Sequence, residues 1–192
     1  MLYITPRSVK SSHAFNGRSS RTQAGYFYTG SYGGGYFSIE IELPPDKPIL
    51  RNEIYGFLMG KKGKYESFDL VIAGVSDTKG FYRGTITYDG ILNNVIQVSA
   101  EPNTVILYAG DYIKFDNHKK VYTVTQRVIT NSLGQAQLYI SPNLYLEPNL
   151  SSAIRYMDVP FHVVNNSFNV NIEYDSNNLA EMGLNFEEVF NA

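Results

Sequence analysis

Histidine, serine, carboxylate and glycine patterns are where a sequence first shows chemistry, and in this chain they are sparse. The three histidines, His13, His118 and His162, stand far apart, and none has a metal-ligand spacing such as H-E-x-x-H. His118 sits in Asp116-Asn117-His118-Lys119, which reads as a polar hairpin tip. The run Gly33-Gly34-Gly35 has neither the G-x-G-x-x-G register of a dinucleotide site nor the G-K-[ST] ending of a phosphate loop. Gly60-Lys61-Lys62-Gly63-Lys64 is followed by Tyr65, so no hydroxyl is placed for magnesium. No serine stands in a G-x-S-x-G elbow. The absence of cysteine removes disulfides, thiolate metal sites, iron–sulfur clusters and a thiolate nucleophile together. Carboxylate pairs for glycoside chemistry are defined by a separation of roughly 5–9 Å that only the fold sets, and nothing in the sequence singles one out. The expectation is a protein that is not an enzyme and holds neither metal nor cofactor.

Composition points the same way. The 192 residues are 43% hydrophobic and 18% charged, a globular balance long enough for a core without staples. Sixteen Tyr, 11 Phe, 16 Gly and no Trp favour strands and tight turns. No apolar run approaches the roughly 18–20 residues a spanning helix needs. A net charge of −2 argues against bulk electrostatic attraction to nucleic acid.

The charges are segregated along the chain. No acidic residue precedes Glu40, while Arg7, Lys10, Arg18 and Arg21 stand among Ser and Gly, so residues 1–35 read as a basic, flexible arm. No Lys or Arg follows Arg155, while Asp158, Glu173, Asp175, Glu181, Glu187 and Glu188 make the end acidic. Three readings fit: two solvated surfaces; an arm that meets a neighbouring subunit's acidic end, giving a ring or filament; and an organelle transit peptide. The last fits poorly, because Tyr3, Ile4, Phe15 and Tyr26-Phe27-Tyr28 form no clear amphipathic helix. In the subunit reading, Arg7, Lys10, Arg18 and Arg21 face Glu181, Glu187 and Glu188. Exposed pairs contribute only about 0–1 kcal/mol each, so Tyr26, Phe27 and Tyr28 would supply most of the affinity.

Strands must position whatever works in this protein. Phe37, Ile39, Ile41 and Leu43 alternate with Tyr36, Ser38, Glu40 and Glu42, a half-buried strand that Pro44 and Pro45 should end. A three-turn helix is expected next, with Asp46 as N-cap, Pro48 in the first turn, Leu50, Ile54, Phe57 and Leu58 on one face, and Gly60 as stop. From Phe68 onward come short strands, clearest at 68–72, 85–88, 95–98, 105–107, 112–115, 120–125, 128–130 and 137–140, separated by turn signals such as Asp89-Gly90 and Asn93-Asn94. Segments 154–157, 161–164 and 168–174 follow. This predicts a mainly-β protein: a split β-barrel with one short helix from residues 36–80 and 151–192, and an inserted β-barrel of the oligonucleotide/oligosaccharide-binding (OB) type from residues 81–150.

Aromatics within the inserted segment could form a stacking platform for sugars or single-stranded nucleic acid, with Tyr112, Tyr122 and Tyr139 as candidate glycan contacts. Tyr and Phe are equally ordinary strand residues. Lys114, Lys119, Lys120 and Arg127 lie nearby, but Glu101, Asp111 and Asp116 interrupt any basic track, so no sequence-specific nucleic-acid binding is expected.

Several motifs occur in an order that resembles a known family. Ala109-Gly110-Asp111-Tyr112-Ile113-Lys114-Phe115, then Lys120-Val121-Tyr122-Thr123-Val124-Thr125, Gly134 and Ile140-Ser141-Pro142-Asn143-Leu144 are similar to the inserted domain of distal tail proteins of tailed bacteriophages. The strand 36–43, the helix that follows and Gly63 to Leu70 resemble that family's first domain, so the likeness covers roughly residues 36–150. It implies a tail-tube-like split barrel with an OB-like insert, a homo-oligomeric, hexameric ring at the distal end of the virion tail, and tail tube and hub or baseplate proteins as partners. It also implies synthesis in the host cytoplasm and possible contact with host glycan, and it brings no catalytic residue. The start up to Gly35 and the end after Glu173 have no counterpart in the resemblance.

Overall fold

Alternation of apolar and polar residues builds the centre of the larger sheet. The structure is a computed structural model that describes residues 1–21, 27–166, 172–175 and 179–190, with side-chain surroundings for all but 15–21 and 27–34 of these. In chain order the elements are β1 (Leu2–Ile4), β2 (Ser8–Arg21), β3 (Phe27–Asp46), α1 (Pro48–Gly60), β4 (Phe68–Ile72), β5 (Thr87–Leu92), β6 (Val95–Ser99), β7 (Val105–Leu107) and β8 (Tyr112–Phe115). They continue with β9 (Val121–Val124), β10 (Val128–Ile129), β11 (Gln135–Leu138), β12 (Ile140–Ser141), β13 (Ile154–Arg155), β14 (Phe161–Asn165), β15 (Glu173–Tyr174) and β16 (Ala180–Glu188). The chain is mainly β, as its composition predicts, and its curled sheets form a half-barrel.

The larger sheet runs β1-β4-β14-β16-β3-β2, with β15 paired to β16. Ile39, Ile41 and Leu43 of β3 stand opposite Phe186, Leu184 and Met182 of β16, all buried, so two period-two strands present one apolar face. Burying each such side chain stabilises by roughly 1.5–3 kcal/mol. Phe68 links this face to the helix, its ring centroid 5.2 Å from Phe57 and 5.7 Å from Phe186. Three local expectations need correction. Pro44 and Pro45 do not end β3: they occupy a bulge between the Met182–Leu43 and Ala180–Asp46 pairs, where a missing N–H is tolerated. Asp46 does not cap α1, whose N-cap is Lys47; its carboxylate accepts from the Lys47 N–H and pairs with Arg51 instead. The expected face is otherwise kept, with Leu58 buried and Ile54 and Phe57 packed on the core, but Leu50 is exposed and Arg51 is buried instead, its guanidinium also donating to the Pro44 carbonyl at 2.6 Å.

Residues 1–35 were expected to be a flexible arm, and their described part is largely strand. β1 lies parallel to β4, and β2 pairs with β3 from Ser8–Glu42 to Arg21–Phe27. Hydrogen-bonding partners decide this: Ser- and Gly-rich segments have little preference of their own, and β3 offers β2 a full edge. Gly35 is required in this hairpin, since a Cβ there would fall on the His13 ring and 2.6 Å from the Ala14 carbonyl oxygen.

A second group of buried side chains, including Tyr88, Ile96, Val98, Leu107, Ile113, Phe115, Tyr122, Val124 and Ile154, is enclosed by the sheets β11-β6-β5 and β12-β9-β8-β13 and the pair β10-β7. The β5–β6 hairpin turns on Asn93 and Asn94, both left-handed, which matches the twist of its strands. Asp111 is fully buried and accepts from the Thr78 hydroxyl and from the Lys79 and Tyr108 N–H groups, stapling the 77–80 loop beneath β8.

Candidate functional site

The β2–β3 hairpin outruns the sheet it belongs to. β16 pairs with β3 from Asp46 only as far as Ser38, whereas β2 continues to Phe27. Beyond Phe37 the described strands form a two-stranded ribbon about 30 Å long at roughly 3.4 Å per residue. Arg18, Arg21, Phe27 and Tyr28 lie on this ribbon by sequence; their side chains, and Tyr26 altogether, fall outside the described residues.

At the root of the ribbon a buried ion pair joins three parts of the chain. The Lys120 ammonium meets the Glu188 carboxylate and donates to the Gly35 carbonyl oxygen at 2.6 Å. Glu188 also accepts from the Val121 N–H at 2.8 Å and the Phe37 N–H at 3.2 Å. Lys120 lies 5.3 Å from the Phe37 ring centroid and 4.6 Å from that of Phe190. Burial pushes the Glu188 carboxyl above and the Lys120 ammonium below their usual ranges, and their mutual attraction offsets this. Glu188, expected on an exposed acidic face, is therefore 3% exposed and unavailable to a neighbour. The strand phase explains it: Ala180, Met182, Leu184 and Phe186 face the core, and residue 188 shares their side of β16. That alternation is visible in the sequence, and it is the signal by which β16 could have been found.

Lys10, Glu181 and Glu187 lie on the opposite face of the same sheet. Lys10 is exposed and 3.8 Å from Glu40 across the β2–β3 pair. Arg7 is exposed and shares a groove of about 360 Å³ with Glu42, Glu173 and Glu181. Basic and acidic ends thus meet within one subunit here, and Glu187 is half-buried.

Of the three candidate glycan tyrosines, two belong to packing. Tyr122 is fully buried; its hydroxyl accepts from the Tyr145 N–H at 2.9 Å and lies 2.7 Å from His118 Nε2. Burial pushes the Tyr122 phenol well up, and it lowers the His118 imidazole to about 4, with Lys114 and Lys120 adding to the effect, so the ring is neutral at pH 7. Tyr112 stacks edge-on against Phe37 and Phe161 at 5.5 and 5.1 Å, its hydroxyl 3.2 Å from Ser11 Oγ. Tyr139 alone lines an open groove, about 530 Å³ in volume, with Ile91, Asn94, Thr125 and Asn143. The three do not form one platform.

A cleft of about 520 Å³ runs between β4 and β14 on one side and the 116–119 turn on the other. His162 stands opposite Asp69, and Ser67 precedes Asp69 by two residues on the same side of the strand. His162 Nδ1 is 2.8 Å from Asp69 Oδ1, and Nε2 is 2.8 Å from Ser67 Oγ. That is the order of groups in a nucleophilic triad, and histidine spacing along the chain gave no hint of it, because strand register brings Asp69 and His162 together. Two features set it apart from such a triad. The Lys119 ammonium lies 3.3 Å from the same Nε2, competing for the lone pair that would take the serine proton. The Asp69 side chain is 40% exposed, where a triad carboxylate is buried. Burial works to raise the Asp69 carboxyl, but the bond from His162 and the charges of Lys114, His162 and the N-terminus outweigh it and hold it low. Ser67, Asp69 and His162 bond one another along the β4–β14 wall, and Lys119 reaches His162 across the cleft. No group of three or more His, Asp or Glu side chains that could hold a metal ion occurs among the described residues, and no helix among them is long and apolar enough to cross a membrane. No protein-family model matches the chain, and no curated protein is similar enough to count as a relative.

Proposed function

We propose that the chain is a structural subunit of a ring, hexameric in the intact assembly, at the distal end of a bacteriophage tail, where it joins the tail tube to the hub or baseplate. The ordered motifs between residues 36 and 150 suggest the family, and the observation that carries the reading is the β2–β3 ribbon. A two-stranded ribbon is marginal in water by itself, and its outer strand is an open sheet edge that a second copy of the chain can cover. The reading is of a scaffold with no catalytic role, acting through its flanks. Mass measurement of the purified protein, followed by its location in intact particles by electron microscopy, tests this. A ring, or a monomer that assembles on a tail-tube partner, is expected at the tail end; a protein found only in the soluble fraction of infected cells and never in particles overturns the reading.

A second reading rests on the groove at Tyr139, whose aromatic ring beside Asn94, Asn143 and Thr125 suits a neutral sugar. Calorimetric titration with host polysaccharide should then give a heat that Y139A abolishes; no heat with the unaltered protein removes it.

A further inference from the structure

We infer that Lys120 and Glu188 form the positioning joint of the β2–β3 ribbon, setting the direction in which it leaves the molecule relative to the second group of strands. The inference rests on the reading of that ribbon as an assembly arm, but its geometry stands apart from any partner. Three separate segments end on this pair. Gly35 and Phe37, at the ribbon's root on β3, contribute a carbonyl and an N–H. Val121, at the start of β9, contributes an N–H, and Glu188 itself closes β16. Phe37 is at the same time the first residue of β3 beyond the reach of β16, since the last pair between them is Glu187–Ser38. The ladder therefore stops where the ion pair begins, and side-chain bonds replace strand pairing as the means of fixing the ribbon.

Backbone groups at three places must converge on two side chains, so the arrangement is specific to one orientation. A ribbon swung about its root would separate the Gly35 carbonyl from Lys120 and the Phe37 N–H from Glu188, leaving both charges buried with fewer partners. A flat apolar patch would tolerate such a swing, because dispersion and hydrophobic burial have little directional preference. Tyr112 supports the joint from β8, packing on Phe37 and reaching Ser11 across β2 and β3.

The chain has no cysteine, so spin labels can be placed at will. Labels at Ser20→Cys on the ribbon and Leu133→Cys, an exposed position on the second group of strands, report their separation by pulsed electron resonance on the unassembled full chain. In the otherwise unaltered protein a narrow distance distribution is expected. In K120M/E188Q, which removes both charges and keeps an amide oxygen for the Val121 N–H, the distribution should broaden at least twofold while far-UV circular dichroism is unchanged. Amide exchange in residues 8–16 and 33–40 should quicken about tenfold, with residues 95–115 unaffected. Unchanged width and exchange overturn the inference, as does a uniform loss of protection throughout the chain, which would make the pair a general stabiliser. If the double variant does not fold, E188Q alone takes its place under the same criteria. Absence of the unaltered protein from intact particles would refute the assembly reading and leave these distances untouched.

Discussion

The joint at Lys120 and Glu188 and the interior of the second group of strands both bury polar side chains, by opposite means. The joint uses full charges, converging with two N–H groups and a carbonyl. The interior, Asp111 apart, uses phenols. Tyr156 donates to the Gly84 carbonyl at 2.5 Å, Tyr82 to the Thr85 carbonyl at 3.1 Å, and Tyr88 to Glu147 at 2.9 Å. Burial holds the Tyr88 and Tyr156 phenols up, each at about 12, so they stay neutral at any ordinary pH. A neutral hydroxyl that loses its partner costs the desolvation of one group, whereas a buried charge that loses its partner costs several times more. Charge therefore dictates geometry at the joint more strongly than the phenols do in the interior, where they reach one nearby carbonyl, one distant carbonyl and one carboxylate.

Variants can break or sharpen that contrast. K120M should have the largest effect, about 3–5 kcal/mol of unfolding free energy in urea titration, because it strands the Glu188 carboxylate. A loss below about 1 kcal/mol would mean that water already reaches the pair. Y122F should cost about 1–3 kcal/mol by the same measurement, since the Tyr145 N–H loses its acceptor and His118 Nε2 its donor. Acid should act through His118. Its folded value of about 4 lies below the ordinary 6.5, so the unfolded chain binds the proton first. Stability from this group is complete above pH 6.5 and is lost as pH falls toward 4, by about 1–2 kcal/mol after allowance for solvent screening. H118Q should flatten that part of the stability–pH curve. K10A, which removes an exposed pair with Glu40, should change stability by less than about 1 kcal/mol. Finally, a fluorophosphonate probe should leave Ser67 unmodified by mass spectrometry, and its labelling would show that Lys119 does not hold the His162 lone pair.

Much of the strand pattern could be read directly. The alternation in 36–43, the strand at 68–72 and the turn at Asn93-Asn94 each carry their own local cause, and each is found in place. Two kinds of feature were hidden for different reasons. β16 is legible in its alternation, which the summed charge of its glutamates conceals: Glu181 and Glu187 lie outside the buried phase and Glu188 within it. The ribbon was not legible, since Ser and Gly in β2 take the conformation that β3 imposes. Nor could spacing along the chain foretell the grouping of Ser67, Asp69 and His162, which depends on the register between β4 and β14. Lys120 reads as one more surface lysine beside Lys119, and only the position of Glu188, 68 residues away, gives it a role.

The strands β4 and β14 are hydrogen-bonded neighbours, with Leu70 opposite Phe161, so all the chain from Ala73 to Pro160 occupies the place of a hairpin loop. Such a loop could in principle be traded for a few turn residues, or for a different module, without rethreading the host sheet. Excision would uncover Phe37 and Phe161, on which Tyr112 packs, and would leave Glu188 facing the vacancy where Lys120 had been. Any transplant at this site must bring its own cation to that spot, or be accompanied by an uncharged residue at the end of the last strand.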